Sequence, residues 1–237
     1  MKPHTYRFVF AALLLTMLAV FGIAFTADSE PQNSSLKTDG IGDAKLAEEK
    51  MMSKQEERIV SKDKKILVVC YSFSRGNTRK IAKQLQTVLD ADYAEIEPVV
   101  PYPPYGGWNS EVTEQGKREV EAGFMPEIKP LAVNIADYDI IAVGTPTWWF
   151  TMAPPMHTFL KSQDWTGKTV IPFMTHGGWP GHVITDIKEY CAGAKFAADM
   201  EIQFDSEGGD HMLTSQADID AWLEGLRKEL FRKSCMK

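Results

Sequence analysis

The sequence predicts an α/β domain built on a doubly wound, five-stranded parallel sheet. From residue 66 onward, five short apolar runs alternate with five stretches whose apolar residues recur at helical spacing. Such alternation is typical of parallel strands joined by right-handed helical crossovers. The first run, residues 66–71, is continuously apolar, as expected for a strand buried on both faces. The loops after three of the runs are rich in hydroxyl groups, glycine or aromatic rings.

Length and composition are compatible with one such domain plus appendages. The chain has 237 residues, of which 44% are hydrophobic and 24% charged, close to the globular average. Its formal net charge of -6 argues against nucleic-acid binding, which needs clustered Lys and Arg. The three cysteines, Cys70, Cys191 and Cys235, are too few and too scattered for a disulfide framework or a four-ligand zinc site. We therefore expect no metal, and we interpret Cys70 as a small core residue.

The N-terminal residues predict export. Lys2 and Arg7 precede the almost unbroken apolar residues 8–25, and acidic residues follow. Positive charge before the stretch and negative charge after it place the rest of the chain outside the cytoplasm. The stretch is longer than a usual secretory h-region and slightly short for a spanning helix, so residues 1–27 are interpreted as a signal peptide or a signal anchor. We expect a secreted or membrane-anchored protein of the bacterial cell envelope, with membrane contact only through residues 8–25 if they are not cleaved.

A polar linker and the folded domain follow the leader. Residues 28–64 are rich in Glu, Lys, Asp and Ser, with few large apolar side chains to bury, and they are interpreted as the linker. The domain is expected to occupy residues 65–237. From residue 66 onward it contains 16 basic and 23 acidic residues, a formal net charge of -7.

The elements of the domain are predicted from the periodicity of its apolar residues. The last helix begins with Ser215 as its N-cap. Pro172 cannot donate to a central ladder, so we expect a bulge or a strand start there. The predicted strands are residues 66–71, 93–96, 140–143, 170–174 and 196–204, and the other predicted helices are residues 77–89, 110–121, 152–161 and 183–191.

Ligands of doubly wound sheets bind beyond the carboxyl ends of the strands, where the strand order reverses. The first loop there, residues 72–78, joins a strand to a helix through hydroxyl groups and a glycine, and free N–H groups at a helix start favour a phosphate. The loop lacks the lysine of a P-loop and the glycine pattern that dinucleotides favour, which indicates a terminal monophosphate. The alternative is an ordinary capped turn. The candidate residues are Ser72, Ser74, Arg75, Gly76, Asn77 and Thr78.

Two further loops predict a site for a flat ring. Residues 144–150 place three aromatic residues ahead of a helix, which indicates a stacking wall, although we also expect Trp149 or Phe150 to pack against that helix. Glycines in residues 175–181 let the backbone approach a ligand closely. No nucleophile lies beside His176, so it is interpreted as a loop histidine and no catalytic residue is assigned. The candidate residues are Thr145, Pro146, Thr147, Trp148, Trp149, Thr175, His176, Gly177, Gly178, Trp179 and Gly181.

One phosphate loop and two aromatic loops on a doubly wound sheet resemble the flavodoxins, single-domain FMN proteins with strand order 2-1-3-4-5. The resemblance covers about residues 65–237 and rests on the first loop, on Pro-Thr-Trp at 146–148 and on Gly-Trp-Pro-Gly at 178–181. Pro-Tyr-Pro at 101–103, with Trp108, is similar to a subgroup of small bacterial members. The resemblance implies that FMN is the cofactor, that the first loop holds its phosphate and that Trp148 and Trp179 flank its isoalloxazine ring.

Two residues depart from the flavodoxin pattern. Phe73 stands where the family has a hydroxyl, so Ser72 or Ser74 must compensate. The third loop carries His176 and no carboxylate, so we expect a reduction potential above that of a typical flavodoxin.

The resemblance implies an electron carrier whose acidic surface docks a redox partner protein. Two alternatives stay open, because fold alone does not choose among them. One is an FMN-dependent NAD(P)H:acceptor oxidoreductase of the quinone type, in which residues 98–130 help to shape the pocket. The other is a flavin-free binding module on the same fold.

Overall fold

A computed structural model describes residues 45–46, 51, 64–206 and 209–231. Contacts divide the chain into two units, Met1–Leu46 and Ala47–Lys237. The predicted leader, residues 1–27, lies outside the described residues, as does nearly all of the predicted linker. Over the described ranges, no helix has the length and apolar character needed to span a bilayer.

The sheet has the predicted parallel order. Strand β1 pairs with β2 on one side and with β3 on the other, β3 pairs with β5, and the short strands β6 and β7 share the far side of β5. The predicted order 2-1-3-4-5 is therefore confirmed, with two short strands in the fifth position. The strands are β1 (Ile66–Cys70), β2 (Asp92–Glu95), β3 (Ile140–Trp148), β4 (Thr151–Met152), β5 (Thr169–His176), β6 (Lys195–Phe196) and β7 (Met200–Gln203).

Helices cover both faces of this sheet. On one face, α1 and α5 bury apolar residues such as Leu85 and Leu226 against Val68 of β1. On the other face, Phe159 of α3 and Ile187 of α4 belong to a second core cluster. Alternate residues of the central strands enter the two clusters, which explains their continuous apolar runs. The helices are α1 (Asn77–Leu89), α2 (Glu111–Glu121), α3 (Pro154–Lys161), α4 (Val183–Tyr190) and α5 (Gln216–Phe231), with a 3₁₀ turn at Ile135–Asp137.

Strand β3 is longer than predicted. It continues through Trp148 and turns back as β4, so that Thr147 pairs with Met152 and Trp148 pairs with Thr151. The prediction that residues 144–148 belong to the loop 144–150 was wrong, and so was the predicted start of the next helix at Met152. Residues 144–146 still pair with β5, and only residues 147–148 continue into a small antiparallel hairpin at the carboxyl end of the strand.

Pro172 affects the neighbouring strand rather than its own. It lies within β5, in unbroken register opposite Val143 of β3, so the bulge or strand start expected at this residue is absent. The carbonyl of Val170 accepts the N–H of Ala197, 3.0 Å away, so the backbone of Val170 faces the outer neighbours of β5. Because backbone polar groups alternate in direction along a strand, the backbone of Pro172, two residues later, faces the same side. Pro172, with no N–H to donate, therefore faces the gap between β6 and β7. This gap explains why the predicted strand at residues 196–204 is two short strands.

Candidate functional site

A cavity of about 440 Å³ lies beyond the carboxyl ends of β1, β3 and β5, within the range usual for small-molecule sites. Helix α2 and the segment before it supply another wall. The lining residues are Phe73, Ser74, Arg75, Asn77, Thr78, Tyr105, Trp108, Val112, Thr113, Gly116, Lys117, Pro146, Thr147, Trp148, Trp149, Phe150, Thr175, His176, Gly177 and Trp179.

The first loop leads into α1 through two left-handed residues. Ser74 has φ 55° and Gly76, the N-cap, has φ 72°, a conformation that glycine adopts without steric cost. The N-cap residue supplies no side-chain hydrogen bond, and Ser72 Oγ instead accepts the N–H of Arg79, 3.1 Å away. The first N–H groups of a helix have no partner within the helix. The backbone N–H of Asn77, a residue that lines the cavity, is therefore available to an anion.

Two side-chain hydrogen bonds fix this helix start. Asn77 Nδ2 donates to the carbonyl of Gly209, 2.8 Å away, so its amide ties the helix to a distant loop. The hydroxyls of Thr78 and Thr175 are buried and lie 2.8 Å apart, which joins the start of α1 to the end of β5. A buried hydroxyl pair of this kind costs stability if one partner is lost. The first and third loops are therefore held in one arrangement.

The hairpin turns through Trp149 and Phe150, which have φ values of 50° and 67°. Two central residues with positive φ form a type I′ turn, which Asn-Gly favours and bulky residues disfavour. Trp149 is 36% exposed and Phe150 is 49% exposed, and the expectation that one of them packs against the following helix stays a prediction. Their rings contact each other, with centroids 6.3 Å apart, and both line the cavity.

Trp148, by contrast, is half-buried. Its ring makes T-shaped contacts with the rings of Tyr71, Phe73 and Tyr102, at centroid distances of 5.9, 5.4 and 4.7 Å. A Cβ added at Gly116 of α2 would lie 3.3 Å from the Trp148 ring, so α2 packs closely on it. Trp148 thus forms part of the cavity wall while its surroundings hold it in one orientation. Phe73, the departure from the flavodoxin pattern, is one of those supports.

The third loop is locked to the hairpin. A Cβ on Gly181, whose φ is 62°, would collide with the Phe150 carbonyl, so only glycine allows this approach. The N–H of His182 donates to that carbonyl at 2.8 Å, and Thr147 Oγ1 donates to the carbonyl of Pro180 at 3.3 Å. Trp179, 59% exposed, contacts Phe150. Trp149, Phe150 and Trp179 therefore form one aromatic ridge.

His176 lines the cavity at the end of β5. Its Nδ1 accepts the N–H of Gly178, 3.1 Å away, which leaves the proton of the neutral ring on Nε2. Burial lowers the pKa of His176, and the nearby charge of Glu201 opposes this only in part. His176 is therefore neutral at pH 7 and provides a hydrogen-bond donor rather than a charge.

Five of the predicted site residues do not line the cavity. Four of them shape its loops through the backbone or a cap, and Thr145 is buried with its hydroxyl accepting the N–H of Ala153, 3.3 Å away. Their positions explain why these loops contain glycines and hydroxyl residues. They are Ser72, Gly76, Thr145, Gly178 and Gly181.

The sequence predicted the wall formed by α2 only as a segment, residues 98–130 of the oxidoreductase alternative, and not by its individual residues. Trp108 was noted only through the resemblance, and Lys117 was not identified at all. Val112 and Gly116, one helical turn apart, show that α2 has an apolar face with a small residue on it. This pattern predicts close packing but does not show the partner. The lining residues that were not among the predicted site residues are Phe73, Tyr105, Trp108, Val112, Thr113, Gly116, Lys117 and Phe150.

Metal-ligating clusters and reactive thiols are not features of the described part of the chain. Within it, no group of three or more His, Cys, Asp or Glu side chains could hold a metal ion. Burial raises the pKa of both Cys70 and Cys191 to about 12, so neither thiol is poised as a nucleophile.

The fold and this cavity define a doubly wound α/β protein with a ligand site at the switch point of its sheet. The Flavodoxin family model matches residues 65–224, more than half of the chain. The chain therefore belongs to the Flavodoxin family.

Solved structures share this fold. A candidate flavoprotein from Bacteroides eggerthii DSM 20697 is 28% identical, covers 69% of this chain and 98% of its own, and superposes with a TM-score of 0.56. A candidate flavoprotein from Bacteroides uniformis ATCC 8492 is 24% identical over 68% of this chain and 98% of its own, also with a TM-score of 0.56. A flavoprotein from Lactobacillus acidophilus NCFM, solved in complex with FMN, is 21% identical over 67% and 98% of the two chains, with a TM-score of 0.47. No curated protein sequence gives a significant match.

Proposed function

We propose that this protein binds FMN in the cavity and carries electrons between redox partner proteins. One observation supports the proposal above all others: a single cavity joins the exposed rings of Trp149 and Trp179 to a helix start whose N-cap residue, Gly76, supplies no side-chain hydrogen bond. FMN has a dianionic phosphate at one end and a flat aromatic ring system at the other. Its two ends therefore match the two kinds of surface that the cavity offers.

The first loop suits the phosphate. The N-terminus of α1 carries partial positive charge and free N–H donors, which favour an anion. Ser74, Arg75 and Thr78 of this loop also line the cavity, and their side chains carry hydroxyl or guanidinium donors. Charge-assisted hydrogen bonds are about twice as strong as neutral ones, so this loop would supply much of the affinity.

The hairpin and the third loop suit the ring system. Trp149 and Trp179 expose rings on which a flat ligand can stack, and Trp148, which also lines the cavity, is held by its aromatic neighbours. Gly177 brings backbone to the cavity surface, and neutral His176 can donate from Nε2 to a carbonyl oxygen on the ring edge. When bound, FMN supplies the electron-transfer chemistry. The residues of this chain orient it, hold its charge and exclude water.

Calorimetry with FMN and riboflavin tests the proposal. Riboflavin has the same ring system without the phosphate, so we expect FMN to bind at least about a hundredfold more tightly, as about two lost charge-assisted hydrogen bonds require. The variant Arg75→Gln should weaken FMN binding and leave riboflavin binding unchanged. Arg118→Gln, on the exposed side of α2, removes the same charge outside the cavity and serves as the control. A folded protein that gives no heat and no change in the visible spectrum with FMN would refute the proposal and favour a flavin-free binding module.

A second candidate function is an FMN-dependent NAD(P)H:acceptor oxidoreductase of the quinone type. The wall formed by α2 and its preceding segment favours it, because Tyr105, Trp108 and Val112 enlarge the cavity with apolar surface beyond the three loops. Such an enzyme would oxidise NADPH with a quinone and no protein partner. An electron carrier would not turn over under these conditions.

We also propose that the protein works outside the cytoplasm, as a secreted or membrane-anchored protein of the bacterial cell envelope. The apolar residues 8–25 behind Lys2 and Arg7 support this location. Cell fractionation, with mass spectrometry of the mature N-terminus, distinguishes a cleaved signal peptide from a retained anchor. Recovery of the full-length chain in the cytoplasmic fraction would contradict the proposal.

A further inference from the structure

The charge of the cavity differs from the charge of the whole chain. Two lining residues are cationic, Arg75 and Lys117, and none of the described lining residues is a carboxylate. The complete chain, in contrast, has a formal net charge of -6. Arg75 belongs to the first loop, where the phosphate of FMN would neutralise it. The cation with no assigned partner is Lys117.

Lys117 is held over the aromatic part of the cavity. It is half-buried on α2, and its Nζ lies 5.0 Å from the centroid of the Trp149 ring. Gly116, the preceding residue, allows α2 to pack directly on Trp148. The helix thus fixes the position of the ammonium group beside the wall proposed to stack on the flavin ring.

No described carboxylate pairs with Lys117. Glu119 on the same helix is occupied, because its two oxygens accept Tyr102 Oη at 2.6 Å and Gln115 Nε2 at 2.7 Å. Glu114, one turn before Lys117, is exposed and forms no ion pair with it in the described structure. His176, on the other side of the cavity, is neutral and does not supply a second cation. The ammonium charge of Lys117 is therefore available to a ligand.

We propose that Lys117 makes the cavity prefer reduced FMN, whose ring is singly negative, over oxidised FMN, whose ring is neutral. This inference rests on the proposed function. Reduction takes two electrons from a redox partner, or from dithionite in a titration, together with one proton, and so adds one negative charge to the ring. A cation in a partly water-excluded site stabilises that charge more than it would in bulk water. Lys117 then raises the reduction potential of the bound FMN. The positive charge responsible lies on α2, whereas the sequence had pointed to the third loop with His176.

The test compares Lys117→Met with Lys117→Arg and Arg118→Met. Lys117→Met keeps the apolar stem and removes the charge, Lys117→Arg keeps the charge, and Arg118→Met removes the same charge from the exposed side of the same helix. We expect Lys117→Met to weaken binding of reduced FMN about tenfold relative to oxidised FMN. This change lowers the midpoint potential by about 30 mV for a two-electron couple. Lys117→Arg and Arg118→Met should stay close to the wild type.

The pH dependence of the potential separates a charge effect from a structural one. With one proton per two electrons, the wild-type potential falls by about 30 mV per pH unit near neutrality. Without the Lys117 charge, more of the reduced ring takes up a second proton, so the slope of the Lys117→Met variant becomes steeper. If this variant binds FMN and its potential and slope equal those of Arg118→Met, the inference is wrong while the proposed function stands. If the wild type does not bind FMN, both fail.

Discussion

His157 is a half-buried polar residue that stability measurements can probe. Its ring stacks on Tyr190 with centroids 5.1 Å apart, and its Nε2 is enclosed without a hydrogen-bond partner in the described structure. Burial lowers the pKa of His157, the charge of Asp186 opposes this shift, and His182 adds to it. The unfolded chain therefore binds more protons than the folded chain below about pH 6.5. This difference makes the protein less stable as the pH falls through that region.

The variant His157→Phe keeps the stacked ring and removes the unpaired nitrogen. We expect its free energy of unfolding at pH 7 to rise by about 1 kcal/mol, because an unsatisfied buried polar atom costs about 1–3 kcal/mol. The loss of stability between about pH 7 and pH 5 should become smaller but should not vanish, since His176 also has a lowered pKa. Urea denaturation at several pH values measures both effects. Replacing the exposed His211 with Gln is the control, and a His157→Phe variant less stable than the wild type would show that Nε2 has a partner in solution.

At the scale of elements, the turn between β3 and β4 is strained, and its two residues line the cavity. Trp149 and Phe150 occupy left-handed positions that cost about 1–3 kcal/mol each for residues other than glycine. Replacing them with Asn and Gly gives the sequence preferred in a type I′ turn. We expect the double variant to be about 2 kcal/mol more stable in the absence of ligand and to bind FMN at least about tenfold more weakly, because each lost stacking ring contributes about 0.5–1.5 kcal/mol beyond its buried area.

Urea denaturation without ligand and calorimetry with FMN measure these two opposite effects. The single variant Phe150→Gly relieves one strained position and keeps the Trp149 ring, so its FMN affinity should lie between those of the wild type and the double variant. A double variant that loses stability would mean that the two rings support the fold. Unchanged FMN affinity would mean that they do not contact the ligand.

The sequence predicted regular elements better than it predicted this hairpin. Continuous apolar runs and helical spacing report local burial, so the main strands and all five helices could be predicted from them, whereas the order of the sheet was implied by the resemblance to flavodoxins. The turn could not, because Trp149 and Phe150 replace the residues that normally mark a type I′ turn. The division of the fifth strand depends on Pro172 in its neighbour, which is a contact between distant residues. The wall formed by α2 depends in the same way on how residues 98–130 fold back, since Pro98 bridges to Ile128.

At the scale of the whole molecule, the distribution of charge bears on the electron exchange proposed for this protein. Residues 66–237 have a formal net charge of -7, whereas the described residues that line the cavity include two cations and no carboxylate. The net charge acts at long range when salt is low, since the Debye length is about 30 Å at 0.01 M and about 8 Å at 0.15 M. A distant reactant therefore experiences the acidic surface, and a bound ligand experiences the cations.

This distribution predicts opposite salt effects for acceptors of opposite charge. We expect reduced, FMN-loaded protein to be oxidised faster by ferricyanide, an anion, as the ionic strength rises from about 0.01 M to about 0.15 M, because screening weakens the repulsion. Oxidation by hexaammineruthenium(III), a cation, should become slower over the same range, because screening weakens the attraction. Stopped-flow absorbance at the flavin band measures both rates, and free FMN under the same conditions provides the reference. Salt effects of the same sign for both acceptors, or equal to those of free FMN, would show that the acidic surface does not guide reactants to the cavity.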